Sequence, residues 1–189
     1  RGSAEILGRA MKNLLVFAYL IDALNERVGR ITIWLVLIAT LISAGNGLTR
    51  YLLSDSSNAW LEIQWYLFGA IFLLGAGYTL KHNGHVRIDI LYGRLGPRGQ
   101  AWIDLLGGLF FLLPLACLMA WLAWPIFMDS WRTMEHSSDS GGLLRWPVKL
   151  LLPLGFGLLA LQGVAEIIKR IGVLSGRYQM PLEKPAEDV

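Results

Sequence analysis

Residues 58–95 read NAWLEIQWYLFGAIFLLGAGYTLKHNGHVRIDILYGRL. Residues 60–80 of this stretch are almost wholly apolar, and from Lys81 to Arg94 the text turns basic. About 20 consecutive apolar residues make a helix long enough to cross the ~30 Å hydrocarbon layer of a bilayer. In lipid every backbone N–H and C=O must be bonded within its own segment, so such a run is read as a helix. The basic text after it ends in GRLGPRG, whose glycines and proline mark a turn.

Three further runs of this kind flank the first, at residues 31–53, 101–128 and 146–171. The alternation of a membrane barrel strand is absent from all four. Composition agrees: 54% of the 189 residues are apolar and 16% charged, against about 25% charged in ordinary soluble domains. Mean hydropathy is +0.49, too high for a soluble domain that must cover its core with polar surface.

The residues before the first span have a different pattern. Leu14, Phe17, Ala18, Ile21, Leu24 and Val28 recur at helical spacing, while Lys12, Asp22, Asn25 and Glu26 fall largely elsewhere. The apolar part is too short to span, which predicts an amphipathic helix at the membrane interface leading into the first span. A signal peptide is the weaker reading, because Asp22 interrupts the apolar stretch and no small-x-small cleavage site follows. The RGS at positions 1–3 reads as a remnant, with Met11 a candidate natural start. The expected organisation is an N-terminal segment 1–30, a four-helix transmembrane domain 31–171 and a polar, proline-containing tail 172–189. The fold class is all-α integral membrane, with four transmembrane helices plus an N-terminal amphipathic interfacial helix.

Charge placement sets the orientation. Of the 17 lysines and arginines only Arg50, Arg132, Arg145 and Lys149 fall at one end of the predicted spans; the rest precede span one, follow span four or lie between spans two and three. The positive-inside rule puts that basic end, with both termini, in the cytoplasm. Trp60, Trp65, Trp124, Trp131 and Trp146 then cluster at the outer boundary and Trp34 and Trp102 near the inner one, as indole rings favour.

Few residues are suited to chemistry. His82 and His85 stand three apart, with Asp89 the nearest carboxylate and no cysteine cluster beside them, so a metal centre is not expected. All three histidines lie outside the apolar runs, against haem ligation. Cys117 is alone and cannot form an intrachain disulfide. No phosphate-binding loop, catalytic constellation or basic soluble module is present, which argues against an enzyme and against nucleic-acid binding. No span has a carboxylate at its middle, where a self-sufficient ion-coupled carrier would place one. Arg50 and Glu62 lie at facing helix ends across a short connection, close enough to pair or to engage a partner. Asp104 and Glu166 read as ordinary interface anchors. Small residues do stand out: Ala39, Ser43 and Gly47 form one stripe, Gly69 lies in the second span, and Gly155 and Gly163 lie in the fourth. Such residues let membrane helices approach closely, within a chain or against a partner.

Residues 58–95, together with GGLLRWPVKLLLPLGFGLLALQGVAEIIKRI at 141–171, resemble the small DctQ-like membrane subunit of tripartite ATP-independent periplasmic (TRAP) transporters. The resemblance extends over residues 25–171 and is most specific at Trp60–Glu62 and at Gly84–Asp89. It implies a bacterial or archaeal inner-membrane protein that binds a large membrane subunit and acts as its rigid scaffold. A periplasmic substrate-binding protein would deliver an organic acid, such as a dicarboxylate, which the large subunit would import with sodium ions. No cofactor is implied for this chain. His85, Arg87 and Asp89 would hold the inner hairpin against the large subunit or lipid headgroups; Arg50, Trp60, Glu62 and Trp65 would serve the outer contacts. The other readings are an autonomous proton-coupled carrier using Glu62 and a membrane anchor of a respiratory enzyme.

Overall fold

The computed structural model describes residues 2–53, 58–84, 92, 95–139 and 141–178. The chain is all-α: α1 runs Gly2–Leu53, α2 Asn58–Lys81, α3 Pro97–Arg132 and α4 Trp146–Leu174. All four are long and apolar enough to cross a membrane.

α1 differs from the sequence expectation in continuity and in facing. Its 52 residues form one uninterrupted helix, about 78 Å long at 1.5 Å per residue. The interfacial segment and the first span are therefore halves of a single rod. The expected apolar stripe also divides. Ala18 and Ile21 are buried, while Leu14, Phe17 and Leu24 face outward. The inward positions Ala18, Ile21, Asn25, Gly29 and Thr32 follow spacings of three, four, four and three, a mean of 3.5 that matches the period of a seam between packed helices. Hydrophobic contrast is inverted here because the surroundings are apolar: leucine and phenylalanine can face lipid, whereas a polar side chain is tolerated where the bundle supplies a partner.

α4 is the hub of the bundle. It packs against α1, α2 and α3, and α1 packs also against α2. α3 joins the bundle almost entirely through α4. A small core of Ala18 and Ile21 from α1 with Ala165 and Ile168 from α4 lies at the basic end. Glycines set the close approaches. A methyl group at Gly155 would come within 2.7–3.0 Å of Leu73, two of the three nearest atoms being its backbone C and O. One at Gly77 would collide with the Asn25 amide oxygen, and one at Gly163 would meet Leu112 at 3.0 Å.

α3 contains one π-helical turn, Gly108–Leu112, closed by Leu113 N–H donating to Gly108 O. Pro114 follows directly. Proline has no N–H and its ring displaces the carbonyl four residues back, so the extra residue of a π turn relieves the mismatch. Between α3 and α4, the segment 133–145 doubles back on itself. Met134 and Gly141 adopt positive φ of 47° and 72°, and His136 pairs with Leu144 in an antiparallel bridge.

Candidate functional site

The polar residues of the described chain gather at the two ends of the bundle. At the basic end, Asn25 is wholly buried and donates through Nδ2 to Gln162 Oε1 at 2.9 Å. Gln162, also wholly buried, donates to Asp22 Oδ1 at 2.7 Å and to Glu166 Oε1 at 3.1 Å. Lys169 closes the network, reaching Asp22 at 3.2 Å and Glu166 at 2.6 Å. Spacings of three and four put Gln162, Glu166 and Lys169 on one face of α4. The network ties α1 to α4.

Two neighbouring clusters tie the other helices. Arg170, almost wholly buried, pairs with Asp104 of α3 at 3.0 Å, and Tyr92 O–H donates to the same Asp104 oxygen at 2.7 Å. Glu26 of α1 receives Lys81 at 2.7 Å and contacts His82 Nε2 at 2.9 Å, at the end of α2. The Tyr78 ring lies against both His82 and the bare Cα of Gly29. Beyond α4, Gly176 at φ 69° reverses the chain, so that Tyr178 covers Gly172 and meets Tyr19 of α1 edge-on. Burial and the adjoining Tyr19 push the Tyr178 hydroxyl up to about 12.

At the opposite end α2 holds the 133–145 segment. Glu62 accepts Leu143 N–H at 2.7 Å, and Tyr66 O–H donates to Leu144 O at 3.1 Å. Glu135 is bonded by Lys149 and approached by Arg145 at 3.9 Å. The hydrogen bond from Lys149 holds the Glu135 carboxyl below its usual range.

The residues singled out from sequence fall as follows. Arg50 lies exposed in the last turn of α1 and makes no ion pair with Glu62, whose carboxylate is taken by the loop backbone. That corrects the expected pairing: the tight turn at Leu143 presents an N–H directly to Glu62. Trp60 is half exposed and Trp65 largely so. Ala39 is buried, Ser43 is exposed, and a methyl at Gly47 would meet nothing within 4 Å. At Gly69 a methyl would make ordinary contact with Val148 at 3.7 Å, whereas Gly155 and Gly163 stand at close crossings. His85, Arg87 and Asp89 lie outside the described residues. The sequence reading missed Asp22, Asn25, Glu26, Gln162 and Lys169 as partners. The available signal was two amides at helical spacing from charged residues, Asn25 three after Asp22 and Gln162 four before Glu166. Asp104 and Glu166, read as ordinary interface anchors, are both ion-paired within the chain.

Among the described residues no group of three or more histidine, cysteine, aspartate or glutamate side chains is placed to hold a metal ion. The polar groups instead join helices to one another, in an all-α membrane protein with four helices long and apolar enough to span, whose described surface is rich in exposed tryptophan, phenylalanine and leucine. These features define a membrane-embedded helical subunit. The family model described as "Tripartite ATP-independent periplasmic transporters, DctQ component" matches residues 39–172, and the chain belongs to that family. The family is a transporter component, not an enzyme family. No curated protein and no solved structure matches the chain.

Proposed function

We propose that the chain is the scaffold subunit of a sodium-coupled importer of organic acids, working with a large membrane subunit and a periplasmic substrate-binding protein. Sodium and substrate sites belong to the large subunit, and this chain supplies a rigid wall beside it. The observation that carries this reading is that four carboxylates at the basic end are engaged in internal ties: Asp22 and Glu166 with Lys169, Asp104 with Arg170, Glu26 with Lys81. A coupling carboxylate must be free to exchange its ion during the transport cycle. Glu62, the candidate of the autonomous-carrier reading, is engaged with the loop backbone. The basic end faces the cytoplasm, in keeping with the lysine and arginine bias.

Purification of the chain from its native membrane in mild detergent tests the proposal. Recovery with a much larger polytopic partner in equal amount, and sodium-dependent organic-acid uptake by the reconstituted pair but not by either chain alone, is the expected result. Uptake by this chain alone would reject it.

A further inference from the structure

Because α3 meets the bundle almost entirely through α4, much of its circumference faces outward, with Phe110 64% and Phe111 76% exposed. Asp104, paired with Arg170 at the basic end, is the last charged residue before an uncharged run at 105–128. The π-helical turn Gly108–Leu112 lies just inside that boundary. Leu109 is five residues past Asp104, about 7.5 Å further along the helix axis. A methyl at Gly107, the residue before the turn, would meet nothing within 4 Å, so another helix can approach closely there. Turns of this kind recur at functional sites.

The turn leaves one backbone carbonyl without a helix donor. In an α-helix Leu109 O would accept the N–H of Leu113, and in a π turn that of residue 114. The Leu113 N–H is spent on Gly108 O. Residue 114 is proline, which has no N–H. Serine and threonine hydroxyls, which can replace the lost donor in a membrane helix, are absent from 105–128. The α4 residues packed on the turn, Gly163 against Leu112 and Ile167 against Gly108, bring no side-chain donor either. Hydrocarbon tails have none, and an unpaired carbonyl in lipid is costly.

We propose that a transmembrane helix of the large membrane subunit crosses α3 at this π turn, packs on Gly107, Phe110 and Phe111, and donates a side-chain hydroxyl, amide or indole hydrogen to Leu109 O. The inference rests on the scaffold reading and names the face and the chemical group by which the scaffold is held. Exposed apolar side chains occur on all four helices and do not by themselves distinguish a partner from lipid. The carbonyl does, because a partner helix can supply a donor at that depth and an acyl chain cannot.

The test uses the complex of the full chain with its large subunit, extracted in mild detergent. Replacing Phe110 by the photoreactive analogue benzoylphenylalanine and illuminating the membranes should attach the chain to the large subunit. Pro114→Ala restores an N–H five residues after Leu109, which satisfies the carbonyl inside α3. That variant should be extracted in unchanged amount yet retain about fivefold less large subunit, the worth of one hydrogen bond. Adducts to lipid only, adducts to a second copy of this chain, or full retention of the large subunit by Pro114→Ala would each overturn the inference, while the complex, still recovered, would uphold the scaffold reading. Recovery of the unmodified chain without any large subunit would instead reject that reading, and this inference with it.

Discussion

Gly155 and Gly157 lie two residues apart on α4 and make opposite predictions for the same substitution. At Gly155 an added methyl would stand 2.8 Å from the Leu73 carbonyl oxygen and 3.0 Å from its carbon. Those are backbone atoms of α2, so no rotamer change relieves the overlap; the two helices must separate by several tenths of an ångström. Overpacking of this kind costs about 1–3 kcal/mol, and a collision with backbone belongs at the upper end. Replacing glycine by alanine inside a helix returns roughly 0.5–1 kcal/mol of backbone entropy. Gly155→Ala should therefore destabilise by about 1–2 kcal/mol net, which for a chain of this size is a fall of roughly 2–8 °C in Tm. At Gly157 the same methyl meets nothing within 4 Å. Gly157→Ala keeps the entropic gain without the clash and should raise Tm by up to about 4 °C. Thermal unfolding of both variants in the same detergent, followed by tryptophan fluorescence, makes the comparison. Equal shifts, or a larger loss at Gly157, would refute the inference that α2 and α4 meet at this glycine.

Gln162→Leu should cost about 1–3 kcal/mol by taking from Asn25 its buried partner and from Asp22 and Glu166 a donor; in a double-mutant cycle Asn25→Leu should recover part of that, and strict additivity would count against the network. Glu62→Leu should release the 133–145 segment, seen as faster amide exchange at Leu143, while Glu62→Gln, whose amide oxygen can still accept that bond, should not. The pH dependence of the same segment follows from Glu135, whose folded pKa is lowered by Lys149. Its stabilising effect is present above the unfolded carboxylate pKa of about 4.3 and is lost as pH falls through the lower folded value. Proteolysis within 133–145 should rise on acidification below pH 4, and less so in Glu135→Gln.

The sequence made the four spans legible because lipid leaves no ambiguity: a long apolar run has to satisfy its own backbone, and only a helix does so. The trace follows suit, with residues 60–80 expected and Asn58–Lys81 found. Facing was less legible. The stripe from Leu14 to Val28 was read as one apolar face lying on the membrane, whereas Ala18 and Ile21 of it pack against α4 and Leu14, Phe17 and Leu24 stay exposed. In a bilayer both sides of α1 can be apolar, and the discriminating residue is the buried amide Asn25, whose partner lies 137 positions away on α4. No local pattern announces that pairing. The Arg50–Glu62 expectation failed for a related reason, since it considered side chains alone while the competing donor was the backbone N–H of Leu143. The π turn had a local signal, Pro114 inside an apolar run, but proline permits a kink or a bulge alike.

The proposed scaffold role requires resistance to shear between the chain's own helices, and apolar packing alone resists shear poorly in lipid. Without water there is little hydrophobic penalty for one leucine-faced helix shifting past another, and association rests on close packing and polar bonds. The described chain supplies both in complementary places. Glycine crossings at Gly155 and Gly77 bring α2 against α4 and α1. Hydrogen bonds and ion pairs then fix the axial register that packing leaves soft: α1 to α4 through Asn25, Asp22 and Lys169, α3 to α4 through Asp104 and Arg170, and α1 to α2 through Glu26 and Lys81. A one-turn slip of α1 would move Asn25 and Asp22 about 5.4 Å along its axis, beyond reach of Gln162 and Lys169, and would strand buried polar groups at both positions. Rigidity of this origin is stepwise: the bundle holds one register until a polar tie is lost. Cutting the Asn25–Gln162 tie should therefore loosen α1 against α4 while the Glu26–Lys81 contact with α2 persists.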